Sequence, residues 1–280
     1  MANYIIFDKM DKKLITKPFK LAGETFLREF YIANYTIKTD ITDIGAENYT
    51  LNPKLFSKRF VKILAEAGKN GETVITYDAS SYLSLLLSKS FIMNNADVKN
   101  EMDIFLKPFE LTTNFLADTV HVNTFIINQE TIKQLKKGLK HSFDGFKAAF
   151  YYGADIRIDE RFNKELDNFF KAIKLERVKF GREFKPSGYE LMRYAPESAF
   201  KMAGNILLDA FDGGADFLIV SDARIFYMME AKRKQIAKTV GREIPIYILT
   251  LQQVALIAAG ITKKSILGFD AHKTKPALLG

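Results

Sequence analysis

Two aspartates stand where a parallel α/β sheet places its ligands. Asp222 follows the apolar run Phe217 to Val220, which predicts a strand buried on both faces. Asp78 follows a similar run, Val74 to Tyr77, and in both places a helical pattern begins directly afterwards. A carboxylate at the carboxyl end of a parallel strand can contact a ligand. Alternatively, it can cap the following helix by accepting hydrogen bonds from its first N–H groups.

The same two aspartates belong to an internal duplication. They are 144 positions apart, and the upstream matches keep an offset of 143. Those matches pair Gly45 with Gly188, Pro53 with Pro196, and Ile63-Leu64 with Ile206-Leu207. The predicted strand ends at Asp8 and Ala154 are 146 positions apart. Such regular spacing predicts two copies of one α/β unit.

Alternating strand and helix patterns predict the fold class. We expect two tandem, duplicated α/β units with mainly parallel sheets packed against each other. The first unit is predicted to span residues 1–143, with a helical insertion at about residues 94–117, and the second to span residues 144–280. Near the end of the first unit, Val120 to Ile127 is predicted to be a strand.

Composition indicates a globular protein. Of the 280 residues, 48% are hydrophobic, which is enough for a full core. No apolar run approaches the ~20 residues of a membrane-spanning helix. Because the start of the chain lacks the features of a signal peptide, a cytoplasmic location is expected. The net charge of +8 is scattered, and its densest patch, Lys133 to His141, is interpreted as a solvated helix end. No nucleic-acid partner is therefore expected.

The chain contains no cysteine, which excludes disulfides, thiolate metal sites, cysteine nucleophiles and cysteine-ligated iron–sulfur clusters. His121, His141 and His272 lack the spacing of zinc ligands. A Gly-rich phosphate loop and a Gly-x-Ser-x-Gly motif are both absent. We therefore predict no catalytic or cofactor-binding residue and no cofactor.

Several segments of the second half carry a family resemblance. They are FYYGADIR at 150–157, KPSG at 185–188, GADFLIVSDARIF at 214–226, IPIYILTLQQVALIAAG at 244–260 and LGFDAHKTKPALLG at 267–280. With these motifs the chain resembles the heterodisulfide reductase B-like family, also called the CCG-domain family. The first half is similar more loosely, through TDIG at 42–45 and YDASSYLSL at 77–85. The resemblance implies a duplicated α/β fold and membership of a redox complex.

The resemblance also implies two cluster sites whose cysteines are all replaced in this chain. The corresponding positions of the first repeat hold Asp8, Asp43, Ile44, Asp78 and Ser81. Those of the second repeat hold Ala154, Pro186, Ser187, Asp222 and Ile225. Since none of these side chains is a thiolate, the fold is expected to persist without the iron–sulfur clusters.

Two uses of the vacated positions are considered. Asp8, Asp43 and Asp78 could together bind a hard cation, or raise the pKa of one carboxyl by mutual repulsion, or simply cap helices. Around the second position, four arginines could bind an anion, or could instead pair with nearby acids. These arginines are Arg157, Arg182, Arg193 and Arg224.

The favoured hypothesis is a cluster-free, non-catalytic binding, scaffold or assembly subunit of a redox complex, whose partners are proteins. The alternative is an enzyme or a ligand- or metal-binding protein that reuses the vacated positions through the aspartates. No membrane span is expected, and the sequence predicts no particular oligomeric state.

Overall fold

The structure, a computed structural model, describes residues 3–7, 17–31, 35–38, 43–153 and 160–274. The strands are β1 (Asn3–Phe7), β2 (Tyr35–Lys38), β3 (Glu72–Thr76), β4 (Thr119–His121), β5 (Lys147–Tyr151), β6 (Glu176–Val178), β7 (Phe217–Val220) and β8 (Tyr247–Leu249). The helices up to the middle of the chain are α1 (Lys17–Phe30), α2 (Pro53–Lys69), α3 (Ala79–Met93), α4 (Ala96–Leu106), α5 (Val122–Ile126) and α6 (Gln129–Gly138). Those that follow are α7 (Glu160–Ala172), α8 (Pro196–Asp212), α9 (Ala223–Ala231), α10 (Arg233–Val240), α11 (Leu251–Ala258) and α12 (Lys264–Leu267).

The strands form two four-stranded parallel sheets with the same order. The first sheet runs β2-β1-β3-β4 and the second β6-β5-β7-β8. The central pairs share a register, since Ile5 pairs with Val74 and Ala149 with Leu218. All four residues of β7 are buried, as expected for a central parallel strand covered on both faces. The predicted α/β fold with parallel sheets is confirmed.

Equivalent elements precede the third strand of each sheet. A short 3₁₀ helix begins after a glycine with positive φ, Gly45 at 96° in the first sheet's half and Gly188 at 81° in the second. Such φ angles favour glycine, which has no Cβ. The 17-residue helices α2 and α8 follow, each with a proline in the first turn, where the missing N–H costs nothing. The matched glycines and prolines of the sequence thus perform the same backbone roles.

The chain divides into two compact units. The first comprises the described parts of residues 1–11 and 32–122, and therefore contains the first sheet with α2, α3 and α4. Its core includes Phe7, Phe60, Leu64, Val74 and Leu85, all at most 2% exposed. The insertion predicted near residues 94–117 contains α4 and two short 3₁₀ helices.

The second unit comprises the described parts of residues 12–31 and 123–280. It therefore includes α1, although this helix follows β1 of the first sheet in the chain. The apolar face of α1 packs on α11 and α12, and Phe19 meets Phe226 edge to face at 5.6 Å. In the same unit α6 packs on α7. The boundary near residue 143 concerns the sequence repeats rather than these compact units, and it stays a prediction.

One predicted element is wrong in type. The stretch Val120 to Ile127 is not one strand, because β4 ends at His121 and α5 begins at Val122. A short apolar run without clear periodicity fits either a buried strand or a buried helix. The consequence is that His121 lies at the carboxyl end of its strand.

Candidate functional site

The first unit has a polar cluster at the carboxyl end of its sheet. Asp78 caps α3, its Oδ2 accepting from the Ser81 backbone N–H at 3.2 Å. The Ser81 hydroxyl lies 3.0 Å from Asp43 Oδ2 and 3.2 Å from Asp78 Oδ2. Asp43 Oδ1 also accepts from the Ser84 hydroxyl at 3.0 Å and from the Gly45 N–H at 2.9 Å. Two carboxylates are therefore joined through one hydroxyl, which has a single proton to donate.

His121, on the neighbouring strand β4, lies close enough to Asp78 to feel its charge. It is 7% exposed, and burial lowers its pKa to about 4, against the opposing effects of the Asp78 charge and of a hydrogen bond to the Tyr77 backbone. The imidazole is consequently neutral at pH 7. Its ring also meets that of Tyr82 edge to face at 6.0 Å. A neutral imidazole beside a carboxylate can accept a proton only in acid, which does not suit a general base at neutral pH.

Sequence reasoning missed both His121 and Ser84. The sequence pattern predicts one strand over Val120 to Ile127 and therefore does not indicate that His121 lies at a strand end. A signal for Ser84 was present, since it lies one turn after Ser81 and so shares its helix face.

The corresponding place in the second unit is built differently. Asp222 caps α9, with Oδ1 accepting from the Arg224 N–H at 2.8 Å and the Ile225 N–H at 3.0 Å. The Arg224 guanidinium lies 3.5 Å from Asp222 Oδ2 and 5.3 Å from the centre of the Tyr189 ring. Ile225 is buried, so this region holds an ion pair beside an apolar side chain.

The other predicted ligand positions of the second repeat carry no charge. Ser187 is buried and its hydroxyl accepts from the Tyr189 N–H at 3.1 Å, whereas Pro186 is exposed. Ile44, the neighbour of Asp43 in the first repeat, is exposed as well. These side chains are occupied by local backbone contacts or turned to solvent.

The two candidate ligand sets are covered only in part. Asp8, Ala154 and Arg157 lie outside the described residues. Arg182 and Arg193 are exposed, and Arg193 lies against the Tyr194 ring at 5.9 Å, while Arg224 pairs with Asp222. Neither the three-aspartate cation site nor the four-arginine anion site is tested by this geometry, and both stay predictions.

The donor atoms decide which cofactors fit. Within the described part of the chain, no group of three or more carboxylate and histidine side chains is placed to hold a metal ion. An iron–sulfur cluster with thiolate ligands does not fit either position, because the chain has no cysteine. What remains is a pair of hydroxyl-bridged carboxylates in one unit and an aspartate–arginine pair in the other.

A protein-family model matches part of the second half of the chain. Residues 189–273 match the HdrB-like C-terminal domain. This match confirms the predicted resemblance over α8 to α12, the part of the chain that contains Asp222 and Ile225. No curated protein matches the chain at the level of sequence.

A solved structure shares the fold of nearly the whole chain. It is a hypothetical protein from Helicobacter pylori, which aligns over 99% of this chain with 24% identity and a TM-score of 0.83. The alignment covers 52% of that protein, so the present chain spans about half of its length. This likeness shows the fold alone. None of the described helices is both long and apolar enough to cross a lipid bilayer, and the cytoplasmic location stays a prediction.

Proposed function

We propose that the protein is a cluster-free HdrB-like subunit that binds another protein of a redox complex, as a non-catalytic scaffold or assembly component. The observation that carries this proposal is the structural role of the positions that the resemblance aligns with cluster ligands. Asp78 and Asp222 cap helices, Ser187 supports a turn, and Ile225 is packed in the core. A retained double α/β fold with such positions committed to structure is what a binding subunit requires.

Exposed apolar side chains support protein binding. Leu51 and Tyr194 occupy equivalent places, at the end of the 3₁₀ helix that precedes α2 or α8, and each is 81% exposed. Large apolar side chains held in water at matching positions of both units are candidates for contact with a partner. Neither side chain contributes to the core of its unit.

The proposal is tested by isolating the tagged protein from its own cells under gentle, anaerobic conditions. We expect a stable complex with a redox protein, identified by mass spectrometry, and no stoichiometric iron attached to the chain itself. Leu51→Ser and Tyr194→Ser should each weaken the complex at least about tenfold, as loss of an apolar anchor does.

Ile104→Ser provides the matched control, because Ile104 is 73% exposed but lies on α4, away from the two equivalent 3₁₀-helix ends. This variant should leave the complex intact. Isolation of the chain without any redox partner, or equal loss with all three variants, would contradict the proposal.

A second candidate function is favoured by the hydroxyl-bridged pair Asp43 and Asp78. It is a ligand or metal site that reuses this carboxyl edge, with Asp8 as a third carboxylate. Elemental analysis of the anaerobically isolated protein tests it. A near-stoichiometric metal that is lost in Asp43→Asn, but kept in Asp222→Asn, would favour this candidate over the scaffold.

A further inference from the structure

A cleft of about 710 Å³ lies in the second unit between α7 and the segment after β6. One wall is a single face of α7 that carries Lys164 and Lys171, two helical turns apart. The other wall is the exit of the edge strand β6, with Lys179, Phe180 and Phe184. The volume falls within the range of small-molecule sites, roughly 300–1,000 Å³.

The charge of the cleft is positive. Its lining has four cationic side chains and two carboxylates, Asp167 and Glu183. Arg177 serves both carboxylates, since its Nη1 lies 2.6 Å from Asp167 Oδ1 and its Nη2 lies 3.8 Å from Glu183 Oε2. Lys164, Lys171 and Lys179 form no salt bridge with any residue that the structure describes. Three ammonium groups in one concave surface attract anions more strongly than scattered lysines do.

The arginine of the cleft lining belongs to a hydrogen-bond network. The Arg177 side chain is only 9% exposed, and its Nη2 donates to the Tyr152 hydroxyl at 2.6 Å. That hydroxyl donates in turn to Asn163 Oδ1 at 2.5 Å. Burial raises the pKa of Tyr152 to about 12, so the phenol keeps its proton. The arginine is thus held in place by the protein, and the lysines remain the groups available to a ligand.

An aromatic surface borders the same cleft. The Phe184 ring stacks on Tyr152 with the ring centres 4.7 Å apart and the planes 11° apart. One face of Phe184 is therefore covered, yet the residue is 53% exposed and lines the cleft. A half-exposed aromatic ring next to a cationic surface suits a planar heteroaromatic group joined to an anion.

We propose that this cleft binds a nucleotide, with its phosphates on Lys164, Lys171 and Lys179 and its base stacked on Phe184. Three lysines that form no salt bridge with a described residue favour a polyphosphate over a single carboxylate. The exposed ring favours a nucleotide over an inorganic polyphosphate, and the volume matches one small molecule. The proposal concerns the second unit alone and does not depend on the redox complex proposed above.

Calorimetric titration of the full chain with ATP at low salt tests the lysines. We expect ATP to bind, and the triple variant Lys164→Ala, Lys171→Ala, Lys179→Ala to bind it at least about tenfold more weakly. The matched control is the triple variant Lys133→Ala, Lys136→Ala, Lys137→Ala on α6, which has the same net charge. Its affinity should remain within about twofold of that of the unchanged protein.

Tripolyphosphate and adenosine separate the two halves of the proposed ligand. Phe184→Leu should weaken ATP binding about fivefold and leave tripolyphosphate binding unchanged, since only the base stacks on the ring. Thermal unfolding of each variant verifies folding, and the single variant Lys179→Ala replaces the cleft triple if that triple unfolds. The proposal is overturned if ATP does not bind, if both lysine triples lose affinity equally, or if Phe184→Leu leaves ATP binding unaltered.

Discussion

The two strand-end regions share a cap and differ one turn further on. Asp78 and Asp222 each follow the third strand of a sheet and each cap the next helix. Three residues after the aspartate stands Ser81 in one unit and Ile225 in the other. Ser81 contacts two carboxylates, whereas Ile225 is buried beside the Asp222–Arg224 ion pair. In both units the aspartate accepts hydrogen bonds from backbone N–H groups that have no partner within the helix. The polarity of each region is determined instead by the residue three positions later, Ser81 or Ile225.

The helices that precede these regions differ in a related way. Both α2 and α8 have 17 residues and begin with proline. Near their ends, α2 has Gly68 where α8 has Phe211. A Cβ on Gly68 would lie 1.4 Å from the Phe115 carbonyl oxygen, so the segment that carries Phe115 approaches the α2 backbone directly. The absence of a side chain at Gly68 is what allows the Phe115 segment to pack this closely on α2.

The largest expected effect comes from Gly68→Ala. The added methyl overlaps a backbone oxygen, which must move together with its segment, so we expect the free energy of unfolding to fall by about 4 kcal/mol. Urea unfolding measures this change. Gly138→Ala is the control, because its Cβ would meet no atom within 4 Å in α6. It should be neutral or stabilise by about 0.5 kcal/mol, and an equal loss in both variants would contradict the role given to the Phe115 contact.

Next in size is the exchange of Ile225 for the residue type of the first unit. Ile225→Ser removes a buried apolar side chain and buries a hydroxyl, and should cost about 3 kcal/mol in unfolding free energy. Ile225→Val, which keeps most of the side chain, should cost about 1 kcal/mol. If serine were tolerated as well as valine, the apolar character of this region would not matter to the fold.

Each unit also has a buried histidine, and the two should make stability depend on pH. Burial lowers the pKa of His121 and of His272 to about 4, below the usual value of 6.5. Between these values the unfolded chain binds a proton that the folded chain does not. Stability is therefore full above pH 6.5 and is lost as the pH falls toward 4, by about 2 kcal/mol per histidine between pH 7.5 and 5.

The free energy of unfolding is measured in urea at pH 7.5 and pH 5 for the protein and for its His121→Gln and His272→Gln variants, and the differences from the unchanged protein are compared. A difference is required because Glu230, 3.9 Å from His272, acts in the opposite direction: burial raises its pKa, so it favours the folded state as the pH falls. Each variant should remove one histidine's share of the pH dependence. If the free energy of unfolding changes equally between pH 7.5 and 5 in the protein and in both variants, burial does not keep either imidazole neutral.

Much of the fold could be predicted because short apolar runs, glycines and prolines act locally. The runs ending at Tyr77 and Val220 indicate the central strands β3 and β7, and Gly45, Gly188, Pro53 and Pro196 mark equivalent turns and helix starts. The aspartate caps also follow from the sequence, as one of two alternatives. These features depend on backbone geometry within a few residues, which sequence patterns record well.

The remainder depends on contacts between distant parts of the chain. The sequence of α1 does not predict that its apolar face packs in the second unit, because an amphipathic pattern indicates which face is buried but not what it packs against. The approach of Asp43 to Ser81 spans 38 residues and could be expected only through the family resemblance. The strand-end position of His121 could not be predicted, because β-branched residues continue past the end of β4 although the backbone there already forms α5.

The smallest expected effect, that of Ser81→Ala, tests the difference between the two strand-end regions most directly. It removes only the hydroxyl that Ile225 replaces at the equivalent position. Ser81→Ala removes one donor shared by Asp43 and Asp78, while the Gly45 and Ser81 backbone N–H groups still serve these carboxylates. We therefore expect a loss of only about 1 kcal/mol in urea unfolding.

Ser88→Ala is the matched control in the same helix, because the Ser88 hydroxyl donates only to the Ser84 carbonyl, one turn earlier. It should change stability by less than about 0.5 kcal/mol. The cost of Ser81→Ala should also shrink when Asp43 is already asparagine, since a carboxylate needs the donor more than an amide does. If that cost is the same in both backgrounds, the hydroxyl serves the helix cap alone, and the two strand-end regions differ in composition without differing in electrostatics.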